Sequence, residues 1–299
     1  MSEFVQYLVN GLTIGAFLAL IALGYSMIYG VVRLINFAHG DVFMIGAFAG
    51  YGVLTTLGVT GGMAWPAVLA AVVAGALATG LVGTGIARAA YVPLLSSPRL
   101  ALLISAIGVS LALEEGVKDL THARFKSYPG VLDGGRIFSG TVRVTWGQLA
   151  LVLLSVALMA GLWLFVTRTV TGTAMRALAM DRDAARLQGI NVERLILVTF
   201  FVGSLLAGAA GVMYGLYYVQ ISFGMGFLIG LRAFTAAVLG GIGNLPGTMV
   251  AGVCIGLVQS FAAGYVSSRW TDVIIFGLLI AVLALRPTGL FGERVVERA

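Results

Sequence analysis

The sequence predicts an all-α polytopic membrane protein with about 8–9 transmembrane helices, some of them broken or re-entrant. Of its 299 residues, 60% are hydrophobic and 10% are charged, whereas soluble domains are about 45–50% apolar. Apolar stretches of about twenty residues, the length that crosses a bilayer, recur along the whole chain. We place them at about 7–30, 36–57, 63–88, 99–117, 146–167, 195–219, 228–242, 247–265 and 272–289.

The distribution of basic residues predicts the orientation. With the N-terminus outside and the C-terminus cytoplasmic, eleven lysines and arginines fall in cytoplasmic connections and six in outer ones. This excess favours that orientation by the positive-inside rule, so we interpret the net charge of +6 as a topology signal rather than as a nucleic-acid signal. No basic segment or cleavage site precedes the first apolar stretch, so we expect a retained helix rather than a signal peptide.

We expect one transmembrane domain over residues 1–299 with two polar connections. The extracytoplasmic loop, 118–145, contains "RIFSGTVRVTW", whose alternation around residues 139–140 predicts a short hairpin. This loop is either an ordinary surface or a docking surface for an outer partner. The cytoplasmic loop, 168–195, contains "AMDRDAARLQGINVERL", which is unusually charged for this chain.

Two apolar stretches are interrupted by polar or helix-breaking residues. They are "INFAHGDVFMIGAFAG" and "AVLGGIGNLPGTMVAGVCIG". Backbone groups freed by such breaks must be buried in protein or line a watery cavity, and paired breaks in transporters often mark the solute pathway. The alternative is helix capping and internal hydrogen bonding, with Asp41 paired to His39 or to Arg232. The pathway candidates are Asn36, His39, Asp41, Gly240, Gly241, Gly243 and Asn244.

Other polar residues within apolar stretches also need a structural or functional reason, because their insertion into a bilayer costs free energy. Glu114 and Glu115 are interpreted as interfacial residues at a helix end or as part of the outer pathway. Arg232 is expected to extend its side chain to the outer interface or to act in the pathway. Asn10 and Gln259 complete the set.

The charged stretch predicts an amphipathic helix of about three turns that ends at Gly189. A helical projection places four apolar residues on one face and Arg182 and Arg186 on the other. Three interpretations stay open: the helix lies on lipid headgroups, packs under its own bundle, or inserts into a groove on a partner protein. The apolar residues are Ala177, Met180, Ala184 and Leu187.

This stretch resembles the E-A-A-x-x-x-G loop of ABC importer permeases, with Asp183 in place of Glu, followed by Ala184, Ala185 and Gly189. Further stretches, among them "RLQGINVERLILVTF", "FTAAVLGGIGNLPGTMVAGVCIGLVQ" and "RPTGLFG", are similar in the same order to permeases of high-affinity branched-chain amino acid uptake systems. The resemblance implies a coupling helix that docks in an ATPase subunit. The implied coupling residues are Met180, Arg182, Asp183, Ala184, Ala185, Arg186, Leu187 and Gly189.

The resemblance also implies the partners. They are a second permease, either homologous or a second copy, two cytoplasmic ATP-binding subunits and an extracytoplasmic solute-binding protein. ATP and magnesium belong to those partner subunits, and we expect no cofactor, metal or catalytic residue on this chain. The stretch "ALEEGVKD" departs from the polar pair usual in the family, which leaves the substrate open among branched-chain amino acids, urea, short amides and related solutes.

Two other function classes compete with this interpretation. An ion-coupled carrier or channel would use Asp41 or Glu114 as an ion site. An intramembrane hydrolase would use Ser26, Ser110 or Ser204, which occupy apolar segments. With His39 near the cytoplasmic face and His122 outside, a serine–histidine pair at one depth is hard to build. No GxxxxGK[ST] sequence occurs, and the single cysteine, Cys254, excludes an intrachain disulfide.

Overall fold

The computed structural model describes residues 2–33, 35–62, 64–95, 97–131, 135–138 and 142–292. This part of the chain is almost entirely helical, as the sequence predicts. Its helices are α1 (Ser2–Val32), α2 (His39–Thr56), α3 (Trp65–Ile86), α4 (Arg99–Thr121), α5 (Trp146–Arg168), α6 (Val170–Met180), α7 (Arg182–Leu187), α8 (Val192–Tyr218), α9 (Met225–Gly240), α10 (Leu245–Phe261) and α11 (Thr271–Leu285).

All nine predicted apolar segments correspond to helices. Seven helices of the described part are long and apolar enough to cross a membrane: α1, α3 with its continuation to Leu94, α4, α5, α8, α10 with its continuation to Val266, and α11. The remaining two are α2, with 18 residues, and α9, with 16. At 1.5 Å per residue these two span about 27 and 24 Å, less than the hydrocarbon core of about 30 Å.

Helix α1 is the centre of the bundle. In its most apolar window 89% of the residues are buried, against 11% for α11 and 17% for α4. It packs against α2, α5, α6, α8, α9 and α10. We call the end of the bundle at which α1 begins the upper end, and the end at which it terminates the lower end. That the upper end faces outside stays a prediction from the charge distribution.

Helices α1 and α10 are held in close contact by glycines. A Cβ atom added to Gly15 would lie 2.7 Å from the Cα of Val253 and 2.9 Å from its carbonyl oxygen, and one added to Gly256 would meet Gly15 itself. In lipid, helix association relies on such close packing rather than on exclusion of water. The glycines of α1 and α10 therefore allow these two helices to pack closely.

Helix α2 starts well inside the bundle rather than at its lower surface. The ring of His39 abuts Gly24 of α1, eight residues before α1 ends, which corresponds to about 12 Å along the axis. Helix α9 begins at the same height, since Gly226 and Gly230 lie against Gly40. The first predicted break, before α2, is confirmed in the sense that α2 begins inside the bundle, whereas the inside start of α9 was not predicted.

The second predicted break lies between α9 and α10. Gly241 and Gly243 have φ values of +85° and +94°, which side chains rarely adopt. The side chain of Asn244 accepts a hydrogen bond from the backbone N–H of Gly247 at 2.9 Å and so caps α10. The chain therefore turns at the lower end without leaving the cap of α10 unsatisfied.

The upper loop contains the predicted hairpin. Strands β2 (Arg136–Phe138) and β3 (Val144–Thr145) pair antiparallel, and residues 139–141 at the turn lie outside the described part. A second pair, β1 (Lys126–Ser127) with β4 (Gln220–Ile221), was not predicted and ties this loop to the top of α8. Thr145 and Gln148 form a capping box that starts α5.

The glycine contact between α1 and α10 predicts a stability effect. We expect Gly15→Leu to lower the thermal stability of the purified protein, because overpacking costs about 1–3 kcal/mol and here the obstructing atoms are backbone. Gly161→Leu is the matched control, since a Cβ at Gly161 meets nothing within 4 Å. Thermal unfolding in detergent, followed by size-exclusion chromatography, measures both; equal midpoints would contradict the role of this contact.

Candidate functional site

The charged stretch forms two helices rather than one. The predicted single amphipathic helix is wrong because Asp181 is extended, with φ −150° and ψ 120°, and separates α6 from α7. Its side chain accepts hydrogen bonds from the backbone N–H groups of Asp183, at 2.8 Å, and Ala184, at 3.0 Å. Aspartate competes for backbone donors in this way, which ends one helix and starts the next.

The predicted stop at Gly189 is confirmed. Helix α7 ends at Leu187, and Gly189 has a φ of +79°, the left-handed conformation typical after a helix C-terminus. Its N–H bonds to the carbonyl of Arg186 at 2.9 Å, and that of Ile190 to the carbonyl of Ala185 at 3.1 Å. The turn that follows α7 therefore has its own hydrogen bonds.

The predicted continuous apolar face is also wrong, because the extended residue changes the direction of the chain between the two helices. Ala185 is buried, whereas Ala184 is exposed, Met180 is 83% exposed and Leu187 is 86% exposed. Arg186 and Asp183 form an exposed ion pair at 3.6 Å. Two large apolar side chains thus lie unburied beside charges at the lower end. We call residues 180–189 the coupling segment.

Two arginines connect the coupling segment to the end of α1. Arg33, which follows α1 with a φ of 54°, donates to the carbonyls of Ala179, at 2.7 Å, and Met180, at 3.4 Å. In the opposite direction, Arg182 donates to the carbonyl of Val32. Arg33 therefore caps the C-terminus of α6, and Arg182 caps the C-terminus of α1. A positive charge at a helix C-terminus also interacts favourably with the helix dipole. We call this the arginine clamp.

A cavity of about 480 Å³ lies beside the arginine clamp. It is lined by Arg33, Asp181 and Arg182, and also by Leu95 and Leu102, the latter near the start of α4. The coupling segment is therefore attached to α1 on one side and faces open space on the other. This arrangement leaves room for α7 to move relative to α4.

The first group of pathway candidates is buried inside the bundle. Asn36 is 2% exposed and its Oδ1 accepts from the N–H of Ala38, at 3.1 Å, and from the hydroxyl of Tyr91, at 3.0 Å. It therefore caps the turn before α2. His39 is fully buried and packs edge-to-face on Tyr25, with ring centroids 4.6 Å apart. Neither ring nitrogen has a hydrogen-bond partner within the described residues.

Asp41 lies where the N-termini of α2 and α9 meet. It is 1% exposed, and its Oδ2 accepts a hydrogen bond from the hydroxyl of Ser110 on α4. A Cβ added to Gly226, the second residue of α9, would lie 2.8 Å from its Oδ1, which has no hydrogen-bond partner in the described part of the chain. Carboxylates are stabilised near helix N-termini, and this one lies near two.

The alternative pairing of Asp41 with Arg232 or His39 is wrong. Arg232 donates from Nε to Oδ1 of Asp272, at 2.6 Å, and so links α9 to the start of α11. The side chain of Arg232 is 19% exposed and extends toward the start of α11, and its expected position at the outer interface stays a prediction. Asp272, at the start of α11, is thus the counter-ion of this partly buried arginine, and Asp41 is not.

The second group lies at the lower break. The N–H of Gly243 donates to Oγ of Ser26 on α1 at 2.9 Å, and Nδ2 of Asn244 donates to the carbonyl of Phe291 at 2.8 Å. Gly240 is buried against Gly247. These contacts connect the lower end of α9 to α1 and to the C-terminal segment.

The two groups do not form one site. Gly226, which touches Asp41, and Gly240 are fourteen residues apart on α9, which corresponds to about 21 Å along the helix. The remaining polar candidates also lie apart. Glu115 pairs with Lys118 at 2.9 Å, Asn10 accepts from Gln6 at 3.1 Å, and Oε1 of Gln259 has no partner within the described residues.

The serine geometry argues against a hydrolase. Ser110 donates to a carboxylate, and Ser26 accepts from Gly243 and bonds to Thr248, so neither is activated by an imidazole. Within the described residues no group of three or more histidines, cysteines, aspartates or glutamates is placed to hold a metal ion.

Several residues of these arrangements were not predicted. They are Arg33, Tyr25, Tyr91, Ser26, Ser110 and Asp272. Asp272 had a detectable signal, since an acid directly after "SRWT" starts an apolar helix. Ser110 and Tyr91 had none, because their partners are distant in sequence.

Comparison with known proteins decides the family. Over residues 7–283 the chain matches the permease component of branched-chain amino acid transport systems. The chain belongs to this family. The permease is 42% identical over 301 residues to the high-affinity branched-chain amino acid transport system permease protein BraD of Pseudomonas aeruginosa, covering 99% of this chain and 98% of that one.

A second relative also matches over nearly the whole chain. The permease is 39% identical over 300 residues to the high-affinity branched-chain amino acid transport system permease protein LivH of Escherichia coli K12, covering 99% of this chain and 97% of that protein. The chain is accordingly a multi-pass permease of an ABC transporter in the inner membrane, and its family is one of transport components rather than of enzymes.

The cap at Asp181 predicts a local stability effect in this permease. Asp181→Ala should speed amide exchange at residues 183–185, whereas Asp181→Asn, which keeps an acceptor oxygen, should stay close to the unsubstituted protein. Hydrogen exchange read by mass spectrometry measures both, and equal exchange in all three proteins would contradict the cap.

The same cap has a pH dependence. The backbone N–H groups of Ala184 and Asp183 hold the pKa of Asp181 below its usual value. Because this pKa is lowered in the folded chain, the contribution of the charged cap is present at neutral pH and is lost as the pH falls through the lowered value. The Asn variant has no titrating group there and should lack this loss.

Proposed function

We propose that this permease moves branched-chain amino acids, or a related small organic solute, into the cell by alternating access driven by partner ATPase subunits. The observation that carries the proposal is the arginine clamp. It connects an exposed segment at the lower end directly to α1, the helix around which the bundle is built. The names of the two relatives favour branched-chain amino acids as the substrate class.

The proposed assembly contains a second permease, as a heterodimer or a homodimer, two ATP-binding subunits at the lower end and a solute-binding protein at the upper end. ATP and magnesium bind to the ATPase subunits, and this chain carries no cofactor. The lower end is then cytoplasmic, the upper end is outside, and residues 1–299 form one permease domain. Exposed Met180 and Leu187 fit this assembly, because a docked ATPase would bury them.

The proposed solute pathway passes Asp41. Its height inside the bundle, its unpartnered Oδ1 and the glycine contacts beside it place a polar group where α2, α4 and α9 meet. Gly240, Gly241, Gly243 and Asn244 act at the lower end of the same helix α9 as a joint rather than as solute ligands.

A tagged purification tests the assembly. In mild detergent the permease should co-purify with an ATP-binding subunit, and Leu187→Glu should abolish this because it places a charge in the docked apolar surface. Arg194→Ala, an exposed change outside the coupling segment, is the matched control. Uptake in ATP-free vesicles by the isolated chain would contradict the proposal and favour an ion-coupled carrier that uses Asp41 or Glu114.

Substitutions in the coupling segment should block docking of the ATPase subunit without affecting association of the solute-binding protein. Gly189→Trp should abolish uptake, since Gly189 has a positive φ and a tryptophan would obstruct docking, and Asp183→Lys should act likewise. Gly189→Asn is the control because asparagine tolerates this conformation. Binding-protein association with the membranes should persist in all variants. Normal uptake by Gly189→Trp at normal membrane levels would overturn the coupling assignment.

Loss of the arginine clamp should uncouple solute uptake from ATP hydrolysis. Arg33→Ala removes the bonds to Ala179 and Met180, so uptake per ATP hydrolysed should fall by about three- to tenfold while ATP hydrolysis continues. Proteoliposomes that contain the assembled complex allow both rates to be measured together. An unchanged ratio, equal to that of Arg194→Ala, would show that the clamp does not transmit motion.

A further inference from the structure

A polar cavity of about 530 Å³ lies in the upper half of the bundle, where it is lined by none of the residues of the coupling segment. Its volume falls within the range of about 300–1,000 Å³ that is usual for small-molecule sites. The wall comes from the upper half of α1, the end of α8, α9 and the end of α10. The polar and aromatic lining includes Asn10, Tyr217, Tyr218, Arg232, Gln259 and Ser268.

The cavity is lined by one cation, Arg232, whose counter-ion Asp272 leaves some of its hydrogen-bond donors available. Asp272 accepts from Nε of Arg232, which is one of the five N–H groups of a guanidinium. The planar group is suited to bind a carboxylate through two parallel hydrogen bonds. The ion pair neutralises the site, so a ligand with no net charge is favoured over a free anion.

Acceptor groups lie on another part of the wall. Oε1 of Gln259 is buried and has no hydrogen-bond partner within the described residues, and an amide oxygen in this state favours a donor. Tyr217 and Tyr218 lie with ring centroids 5.0 Å apart and their planes at 90°. Their rings offer both an apolar surface and a cation–π contact. An ammonium group and an aliphatic side chain therefore have complementary partners.

We infer that this cavity is a binding site for a zwitterionic α-amino acid, with its carboxylate on Arg232 and its ammonium group toward Gln259 and the tyrosine rings. The inference rests on the proposed function, which it deepens by assigning a receiving site on the outer side. Access is from the upper end, where the lining residues Ala263, Gly264 and Ser268 are exposed. Arg232 is then a binding residue rather than only a structural link between α9 and α11.

Thiol protection tests the site directly and needs no ATP. Cys254 is the single cysteine, so Cys254→Ser gives a background for Ala263→Cys, which lines the cavity, and for the control Val266→Cys, which is exposed but outside its lining. Millimolar leucine should slow the labelling of Ala263→Cys by a methanethiosulfonate reagent and leave Val266→Cys unchanged. Leucinamide, which lacks the carboxylate, should protect neither.

Arginine variants distinguish a binding role from a structural one. Arg232→Lys should weaken leucine protection by about tenfold, the effect of losing one charge-assisted hydrogen bond. The double change Arg232→Asp with Asp272→Arg keeps an ion pair between α9 and α11 but reverses the charge in the cavity. If the pair is only a structural link, the exchanged protein should keep both the thermal stability and the leucine protection of the unsubstituted protein. If Arg232 binds the carboxylate, the exchanged protein should keep the stability and lose the protection.

The outcomes separate this inference from the proposed function. Leucine uptake by the assembled complex, together with protection, supports both. Uptake with equal labelling of Ala263→Cys in the presence and absence of leucine overturns the cavity site and leaves the proposed function standing. Absence of branched-chain amino acid uptake overturns the proposed substrate class, and the labelling experiment then decides the cavity alone because it requires no transport.

Discussion

The close packing of α1 is the constraint on which the rest of the structure depends. Because Gly15 and Gly256 bring the backbones of α1 and α10 into contact, α1 can be surrounded by six other helices and almost completely removed from lipid. A helix enclosed in this way has little freedom to bend by itself. A displacement applied to its lower end is therefore passed to the helices around it.

The polar groups of the bundle are distributed at three heights around this helix. The arginine clamp lies at the lower end of α1. His39 lies against Gly24, eight residues before that end, and Asn10 lines the upper cavity. Helix α9 is common to the two upper groups, because it begins beside Asp41 and carries Arg232. A single rigid-body movement of α9 against α1 would thus alter both polar environments at once.

Much of the fold follows from local properties of the sequence. Segment length and hydropathy located all nine apolar helices, and glycine and asparagine located the break before α10. The extended Asp181 was missed, because aspartate caps a helix or lies within one depending on competing hydrogen bonds. The partners of Asp41 and Arg232 were missed because they depend on helix packing between residues far apart in sequence. The left-handed Arg33 had no signal, since that conformation is uncommon for arginine.

The meeting of α2 and α9 inside the bundle also bears on biosynthesis. Asp41 and the glycine-rich start of α9 are separated by about 185 residues, so at roughly 5–20 residues per second the ribosome needs roughly 10 to 40 s to deliver the second after the first. During that interval a short helix with a buried carboxylate waits in the membrane without its later neighbours. The glycine contacts that bring α9 beside Asp41 can therefore form only late in synthesis.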